Sequence, residues 1–361
     1  MTARHLIAAF ERWTAASEPL VLATVYETAG STYSKAGAQM LINAQGDFQG
    51  MLSGGCLEGD LAERARDVLR TGLPQSVTYN LAQNDEALWG LGVGCDGLMR
   101  IFLQMLSPQS AYEPFASMCA AYGGESVEAA VTVLETSDKR VPAGSSKVSV
   151  AGQVAHSDIG KAFENRIAGL VAAVLREGQS RTADFPGLGG DIKVLVSILK
   201  PPPRILVLGA GLDARPVVRL AAELGWRVIL QDHRPAYIAA GGFDDAEAVY
   251  CEPADDLART VDLSGIDAAI VMSHHLVTDG KYLKVLAGTA IPYIGLLGPV
   301  NRRARLLRDL GELADKLRNR VQGPAGIDIG ASGPASIALS IIAQVHQVLC
   351  ARGRAEVAMP E

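Results

Sequence analysis

Apolar and polar positions follow two different rhythms along the chain. Residues 1–200 carry short strand-like runs set between glycine turns, each set closing on an amphipathic helix. The first set runs Thr24 to Thr28, a turn at Ala36-Gly37, Met40 to Ile42 and a turn at Gly46. A helix ending Val68-Leu69-Arg70-Thr71-Gly72 follows, then a strand at Val77 to Asn80. The second set runs Thr132 to Thr136, Ala143-Gly144, Val148 to Val150 and Gly152. It has a helix ending Val174-Leu175-Arg176-Glu177-Gly178 and a strand at Ile192 to Leu199. The same elements in the same order predict a duplicated β-β-α scaffold, two copies sharing one sheet under their helices. The copies differ at one place. The first has Ser53-Gly54-Gly55-Cys56-Leu57-Glu58-Gly59-Asp60, and the second only a short stretch near Ile159-Gly160-Lys161.

Pro201-Pro202-Pro203 can continue neither a helix nor a central strand, so the expected boundary separates domains 1–200 and 201–361. Beyond it the rhythm changes. Continuous apolar runs at Ile205 to Leu208, Arg227 to Gln231, Ala268 to Met272 and Tyr293 to Leu296 alternate with helical segments, and a helix is expected over Pro334 to Leu349. That pattern predicts an α/β unit with a Rossmann-type, doubly wound parallel sheet. Gly209-x-Gly211-x-x-Ala214 opens the first helix as the dinucleotide fingerprint does. Gly209 suits the tight turn, Gly211 the approach of a pyrophosphate and Ala214 the packing of helix on sheet. Asp232 ends the second strand, where an acid can accept from a ribose hydroxyl. The opposing reading is a fold that keeps the turn without the ligand.

Composition narrows the function classes. The chain has 361 residues, 48% hydrophobic and 20% charged, which suits two globular domains. A net charge of −6 gives no support to nucleic acid or an anionic membrane as partner. The cluster Arg302, Arg303, Arg305 and Arg308 reads as a solvated helix face, with an anion site as the other reading. No apolar run resembles a signal peptide or reaches membrane-spanning length, so a cytoplasmic protein is expected. Five cysteines, odd in number and without a CxxC, argue against a disulfide framework and against a tetrahedral zinc site.

Two of those cysteines stand in glycine-rich loops. Ser53, Gly54, Gly55 and Cys56 precede a helix expected to start near Asp60, so backbone N–H groups and the helix dipole would favour an anion and a thiolate there. Such a thiolate could ligate a soft metal or carry sulfur. Cys95 lies in Gly92-Val93-Gly94-Cys95-Asp96-Gly97, before a strand at Leu98 to Leu103. A small buried apolar residue is the other reading for any cysteine, and it suits Cys119, Cys251 and Cys350. In the second domain, His274 and His275 follow the fourth strand on the ligand side of such sheets. With Asp279 they read either as a polar lip on the nucleotide crevice, His274 carrying a proton, or as a solvated loop. Asp328 in Gly326-Ile327-Asp328-Ile329-Gly330 points into the same crevice or forms a turn.

With these strings in view, the chain resembles the XdhC/CoxI family of xanthine dehydrogenase accessory factors. The resemblance rests on Glu27-Thr28-Ala29-Gly30-Ser31-Thr32, on Ser53 to Asp60, on Gly94-Cys95 and on the Gly209-Ala210-Gly211 turn. It extends through Asp232-His233-Arg234-Pro235, Met272-Ser273-His274, Tyr293 to Gly298 and Gly326 to Ala331. It implies a maturation and insertion chaperone, without turnover of its own, that binds molybdenum cofactor (molybdopterin) for a molybdenum hydroxylase client of the xanthine dehydrogenase type. Cys56 is the implied molybdenum contact, a cysteine desulfurase the implied sulfur source and a homodimer the implied assembly. The chain departs from the family pattern at Leu212, where many relatives have His, at Val300-Asn301, and at Tyr33-Ser34-Lys35 in place of a Pro-Arg pair.

Two other function classes stay open on the residues alone. One is an NAD(P)-dependent oxidoreductase, motivated by Gly209, Gly211 and Asp232, although no catalytic dyad stands beside the fingerprint. The other is a nucleotide- or redox-sensing regulator with Cys56 as its sensor thiol.

Overall fold

A computed structural model describes residues 3–80, 97–186 and 190–358, and the chain divides into two compact units, Met1–Pro201 and Pro202–Glu361. Cys95 and most of its glycine loop lie outside the described residues.

Unit 1 opens with helix α1 (Ala3–Thr14) and then builds the same motif twice. The first copy comprises β1 (Leu20–Ala29), β2 (Gln39–Ile42), β3 (Phe48–Gln49), α2 (Glu58–Thr71), β4 (Gln75–Asn80) and β5 (Leu98–Leu106). Helix α3 (Phe115–Gly123) follows. The second copy comprises β6 (Glu128–Thr136), β7 (Ser146–Val150), β8 (Gln153–Ser157), α4 (Lys161–Glu177), β9 (Arg181–Phe185) and β10 (Ile192–Leu199). The strand orders β3-β2-β1-β5-β4 and β8-β7-β6-β10-β9 are the same arrangement written twice. The duplication is therefore present, but the copies form two five-stranded sheets and do not share one. The last strand of each copy returns to pair with its first, β1 with β5 and β6 with β10. That long-range pairing completes each sheet within its own copy.

The likeness extends to irregularities. Both long pairs carry a bulge, at Tyr26 between Val25 and Glu27 and at Leu134 opposite Lys193/Val194. An extra residue kinks its strand and redirects the side chain. Here Tyr26 and Leu134 turn toward each other and pack with Phe102 and Leu195 in a small buried cluster. Each copy also ends its helix on a left-handed glycine, Gly72 or Gly178. A pseudo-twofold relation follows at the turns. A Cβ on Gly37 would meet Ser180, and one on Gly144 would meet Pro74, so each copy sets its turn glycine against the post-helix segment of the other.

Unit 2 is a six-stranded parallel sheet in the order β13-β12-β11-β14-β15-β16. Its strands are β11 (Arg204–Leu208), β12 (Arg227–Gln231), β13 (Ala248–Tyr250), β14 (Ala268–Val271), β15 (Tyr293–Leu296) and β16 (Val321–Gln322). With β11 as the first strand this is the 3-2-1-4-5-6 order of the Rossmann fold. Its helices are α5 (Ala214–Glu223), α6 (Pro235–Ala239), α7 (Leu257–Thr260), α8 (Leu276–Leu286), α9 (Val300–Asp309), α10 (Leu313–Leu317) and α11 (Pro334–Ala358). The four central strands β12, β11, β14 and β15 are buried on both faces, as their unbroken apolar runs require. One core lies under α5 and α11, the other under α7, α8 and α9.

Within α11, Pro334–Ala351 is long and apolar enough to cross a membrane, which corrects the expectation that no segment reaches that length. One side of it, at Ala338, Ile341, Ile342 and Val345, packs into the core beneath α5.

Candidate functional site

The Ser53–Leu57 loop of unit 1 enters α2 through two left-handed glycines, Gly54 (φ 81) and Gly55 (φ 107). Sequence reasoning offered its N–H groups to an external anion. The structure gives most of them to the chain's own Glu58, the first residue of α2. One carboxylate oxygen of Glu58 accepts from the N–H groups of Leu52 and Ser53, each at 2.8 Å. The other accepts from the Ser53 hydroxyl at 2.5 Å, from Gly55 N at 3.0 Å and from Leu57 N at 3.2 Å. Burial raises the proton affinity of this carboxyl. The bonds from Ser53 and Leu52 outweigh that effect and hold it below the ordinary carboxylate range. Two residues further, Asp60 accepts from Arg64 Nε at 2.6 Å and from the Tyr79 hydroxyl, which ties the first turn of α2 to β4.

The loop so clamped carries Cys56, half-buried and packed against the core of the first sheet. The exposed Tyr33 ring stands 3.4 Å from where a Cβ on Gly54 would be. Lys35, also exposed, donates to Thr32 Oγ1 at 3.4 Å. The Tyr33 ring thus stands against the glycine-rich loop that carries the Cys56 thiol, with Lys35 two residues along the chain from that ring. Copy two has no counterpart, because its α4 follows directly on Gly160. The other described cysteines divide. Cys119 packs against a core, and burial pushes its thiol up to about 12. Cys350 is half-buried, with its sulfur 3.5 Å from His346 Nε2. Cys251 is exposed, which corrects the expectation that it fills a core.

In unit 2 the fingerprint turn lies where the sequence places it, with Gly209 (φ 127) pressed so close to Met272 that a Cβ would fall 2.6 Å from its backbone. Ala214 is fully buried at the start of α5. Asp232, however, is fully buried and turned back on its own chain. One of its oxygens accepts from Ala210 N at 2.7 Å and Arg234 Nη2 at 2.6 Å. The other accepts from Arg234 N and Nε, both at 2.9 Å. Burial opposes ionisation, and the bonds from Arg234 and Ala210 overcome it, so its pKa is lowered. The carboxylate expected to meet a ribose is here engaged in an internal ion pair with Arg234. Gly211 is likewise engaged, since Asp213 Oδ1 lies 2.5 Å from where its Cβ would be.

His274, Asp328 and residues sequence reasoning passed over meet in a cleft of about 870 Å³ at the carboxyl edge of the sheet. His274 Nε2 lies 2.7 Å from Asp213 Oδ2, and His274 itself is held at φ 60. The turn carrying it is fixed from below. Asp279, fully buried, accepts from the Ser273 hydroxyl at 2.5 Å and from Arg302 at 2.6 Å, while His275 caps α8 by accepting from Thr278 N. Of the basic cluster on α9, Arg302 is therefore partly buried in an ion pair and does not belong to a solvated face. Asp328 is exposed on the opposite lip and accepts from Gly330 N at 3.2 Å. Among the described residues no group of three or more His, Cys, Asp or Glu side chains could hold a metal ion.

Comparison with known proteins gives the same two-part picture. The family model for the XdhC and CoxI family matches residues 13–80, and that for the XdhC Rossmann domain matches residues 205–345. The chain is 28% identical over 330 residues to a protein of Bacillus subtilis (strain 168) described as a probable xanthine dehydrogenase subunit, covering 91% of this chain and 93% of that protein. It is 22% identical over 330 residues to the molybdenum cofactor insertion chaperone PaoD of Escherichia coli (strain K12), covering 91% and 83% respectively. A crystal structure described as a xanthine dehydrogenase from Bacillus halodurans superposes with a TM-score of 0.75 at 27% identity, covering 98% of this chain and 97% of that one. The two family matches together span more than half of the residues and fall on the duplicated unit and the Rossmann unit in turn, so the chain belongs to the XdhC and CoxI family.

Proposed function

We propose that this chain is a maturation factor for a molybdenum hydroxylase of the xanthine dehydrogenase type, and that it carries molybdenum cofactor as cargo at the Cys56 loop. The observation that carries this reading is the clamp of Glu58 on Ser53–Leu57. A buried carboxylate with five donors fixes a loop that carries a half-buried thiol, in the one copy of the duplicated scaffold that has such a loop. The surroundings suit the cargo. A thiolate is a ligand for a soft metal, Lys35 offers a charge to an anionic group, and the Tyr33 ring offers a face to a flat heterocycle. The PaoD likeness supports the insertion role, and the xanthine dehydrogenase likenesses support the client class. A cysteine desulfurase partner, a homodimer and a cytoplasmic location complete the proposal.

The test is the molybdenum and pterin content of protein purified from cells that make the cofactor, wild type beside Cys56→Ala and Cys56→Ser. Retention by the wild type and loss in both variants is the expected result. A wild type that never retains either component refutes the reading. An NAD(P)-dependent oxidoreductase is disfavoured by Asp232, whose carboxylate already accepts from Ala210 N in the turn that a dinucleotide would use, and by Asp213, whose Oδ1 fills the space beside Gly211.

A further inference from the structure

The cleft in unit 2 has a chemistry of its own, independent of the Cys56 loop. Two internal carboxylates stand where a pyrophosphate would have to approach. Asp232 accepts from Ala210 N at 2.7 Å, and Asp213 Oδ1 covers Gly211. The charged side chains of the lining are Asp213, His274 and Asp328, and among the described residues no Lys or Arg lines it. Two nearby guanidinium groups are drawn elsewhere, Arg234 to Asp232 and Arg302 to Asp279, each at 2.6 Å. A phosphate entering here would be desolvated beside the wall carboxylates Asp213 and Asp328, with no Lys or Arg among the described residues of the wall to pair with it. The remaining walls are apolar, with Leu297, Pro299, Ile327 and Ile337 facing the space and Leu212, 73% exposed, at the rim. The volume of about 870 Å³ is that of a small-molecule site.

We propose that this cleft binds an uncharged nitrogen heterocycle, a nucleobase or its nucleoside, and rejects the corresponding nucleotide. Apolar walls take the faces of a flat ring. Carboxylates accept only, so Asp213 and Asp328 select ring N–H and amino donors, while His274 either donates or accepts. The fold is thus a Rossmann unit whose phosphate position has been filled by its own side chains and whose crevice is kept for the base.

Isothermal titration of the full-length protein tests this with adenosine, guanosine, cytidine and uridine, each beside its 5′-monophosphate. Adenine and guanine are included to separate a base site from a nucleoside site. At least one base or nucleoside binds about tenfold or more tightly than its monophosphate, the scale of a single charge-assisted hydrogen bond. Asp328→Asn, at an exposed position that leaves the fold intact, weakens it about tenfold by the same measure, and Asp213→Asn does likewise. Leu212→Arg supplies the missing cation at the rim and narrows the gap to the monophosphate. Equal or tighter binding of the monophosphate, no binding of any base or nucleoside at millimolar concentration, or binding unchanged in both Asp variants overturns the proposal. The readout is nucleoside affinity and not molybdenum content, so its failure is distinct from failure of the Cys56 reading.

Discussion

Glu58 shows how one carboxylate can organise a site that it does not itself present. Its donors are backbone groups and a hydroxyl of the same loop, so removing its charge leaves buried N–H groups without a strong acceptor. Glu58→Gln should cost about 2–3 kcal/mol of stability at pH 7, since an amide accepts at one atom only and turns donors toward donors. The pH dependence has a definite sign. An unfolded glutamate titrates near about 4.3, and Glu58 in the fold titrates lower, so its contribution is complete above about pH 4.3 and is lost as pH falls through the folded value. Thermal melts of wild type and variant should converge on acidification; a gap that widens toward low pH would show the carboxylate is not the stabilising form. The thiols offer a second prediction. Cys251 is exposed, whereas burial raises the Cys119 thiol to about 12, so alkylation mapped by mass spectrometry at pH 8 should label Cys251 first and Cys119 only on unfolding. Cys56 could be singled out in the sequence because glycines frame it. Glu58 could not, because an acid in the first turn of a helix reads as a partner for the dipole. The partners of Asp232 were hidden for a related reason: a motif fixes where an acid sits along the chain, not which donors claim it. The one available signal was Arg234 two residues on, which forks onto the same carboxylate.

At the scale of elements, the duplication was legible because its turns and helix ends repeat nearly the same residues. Its division into two sheets was not. Strand order depends on β1 finding β5 and β6 finding β10 across long stretches of chain, and no local pattern encodes that partner. The edge strand β9 escaped because Arg181–Phe185 shows neither clean alternation nor an apolar run. The pseudo-twofold itself yields a comparison. Gly37 (φ 92) and Gly144 (φ 89) occupy matching turns, and both would strain an L side chain. Yet a Cβ on Gly37 would lie 2.3 Å from Ser180 Oγ, whereas one on Gly144 would lie 3.6 Å from Pro74. Gly144→Ala should therefore cost only the backbone strain, about 1–3 kcal/mol, and Gly37→Ala that cost plus the displacement of Ser180. Ser180 Oγ accepts from Ile198 N at 3.0 Å, so its displacement also loosens β10. Chemical denaturation of the two variants decides it, and equal losses would remove the pseudo-twofold asymmetry.

At the scale of the whole molecule, each unit carries cores of its own. Unit 2 has one on either side of its sheet, and its buried charges are paired within it, Asp232 with Arg234 and Asp279 with Arg302. A parallel sheet covered on both faces by its own helices contains what a domain needs to fold alone. Residues 202–361 expressed by themselves should therefore melt in a single cooperative transition, followed by circular dichroism. A gradual, non-cooperative loss of signal would mean that unit 2 depends on unit 1. The same fragment isolates the role of Asp232. Asp232→Asn leaves Arg234 without its counter-charge and gives Ala210 N a weaker acceptor, a loss of about 3–5 kcal/mol by the measure of broken buried pairs. Folded Asp232 titrates below its unfolded value, so the stability it supplies is present at neutral pH and disappears as pH falls through that lowered value. If Asp232 were instead a ribose ligand held free for a cofactor, its removal would leave the melting temperature of the empty fragment nearly unchanged. A large drop in that fragment, which lacks Cys56 and its loop altogether, is the outcome that assigns Asp232 to the architecture of the Rossmann turn.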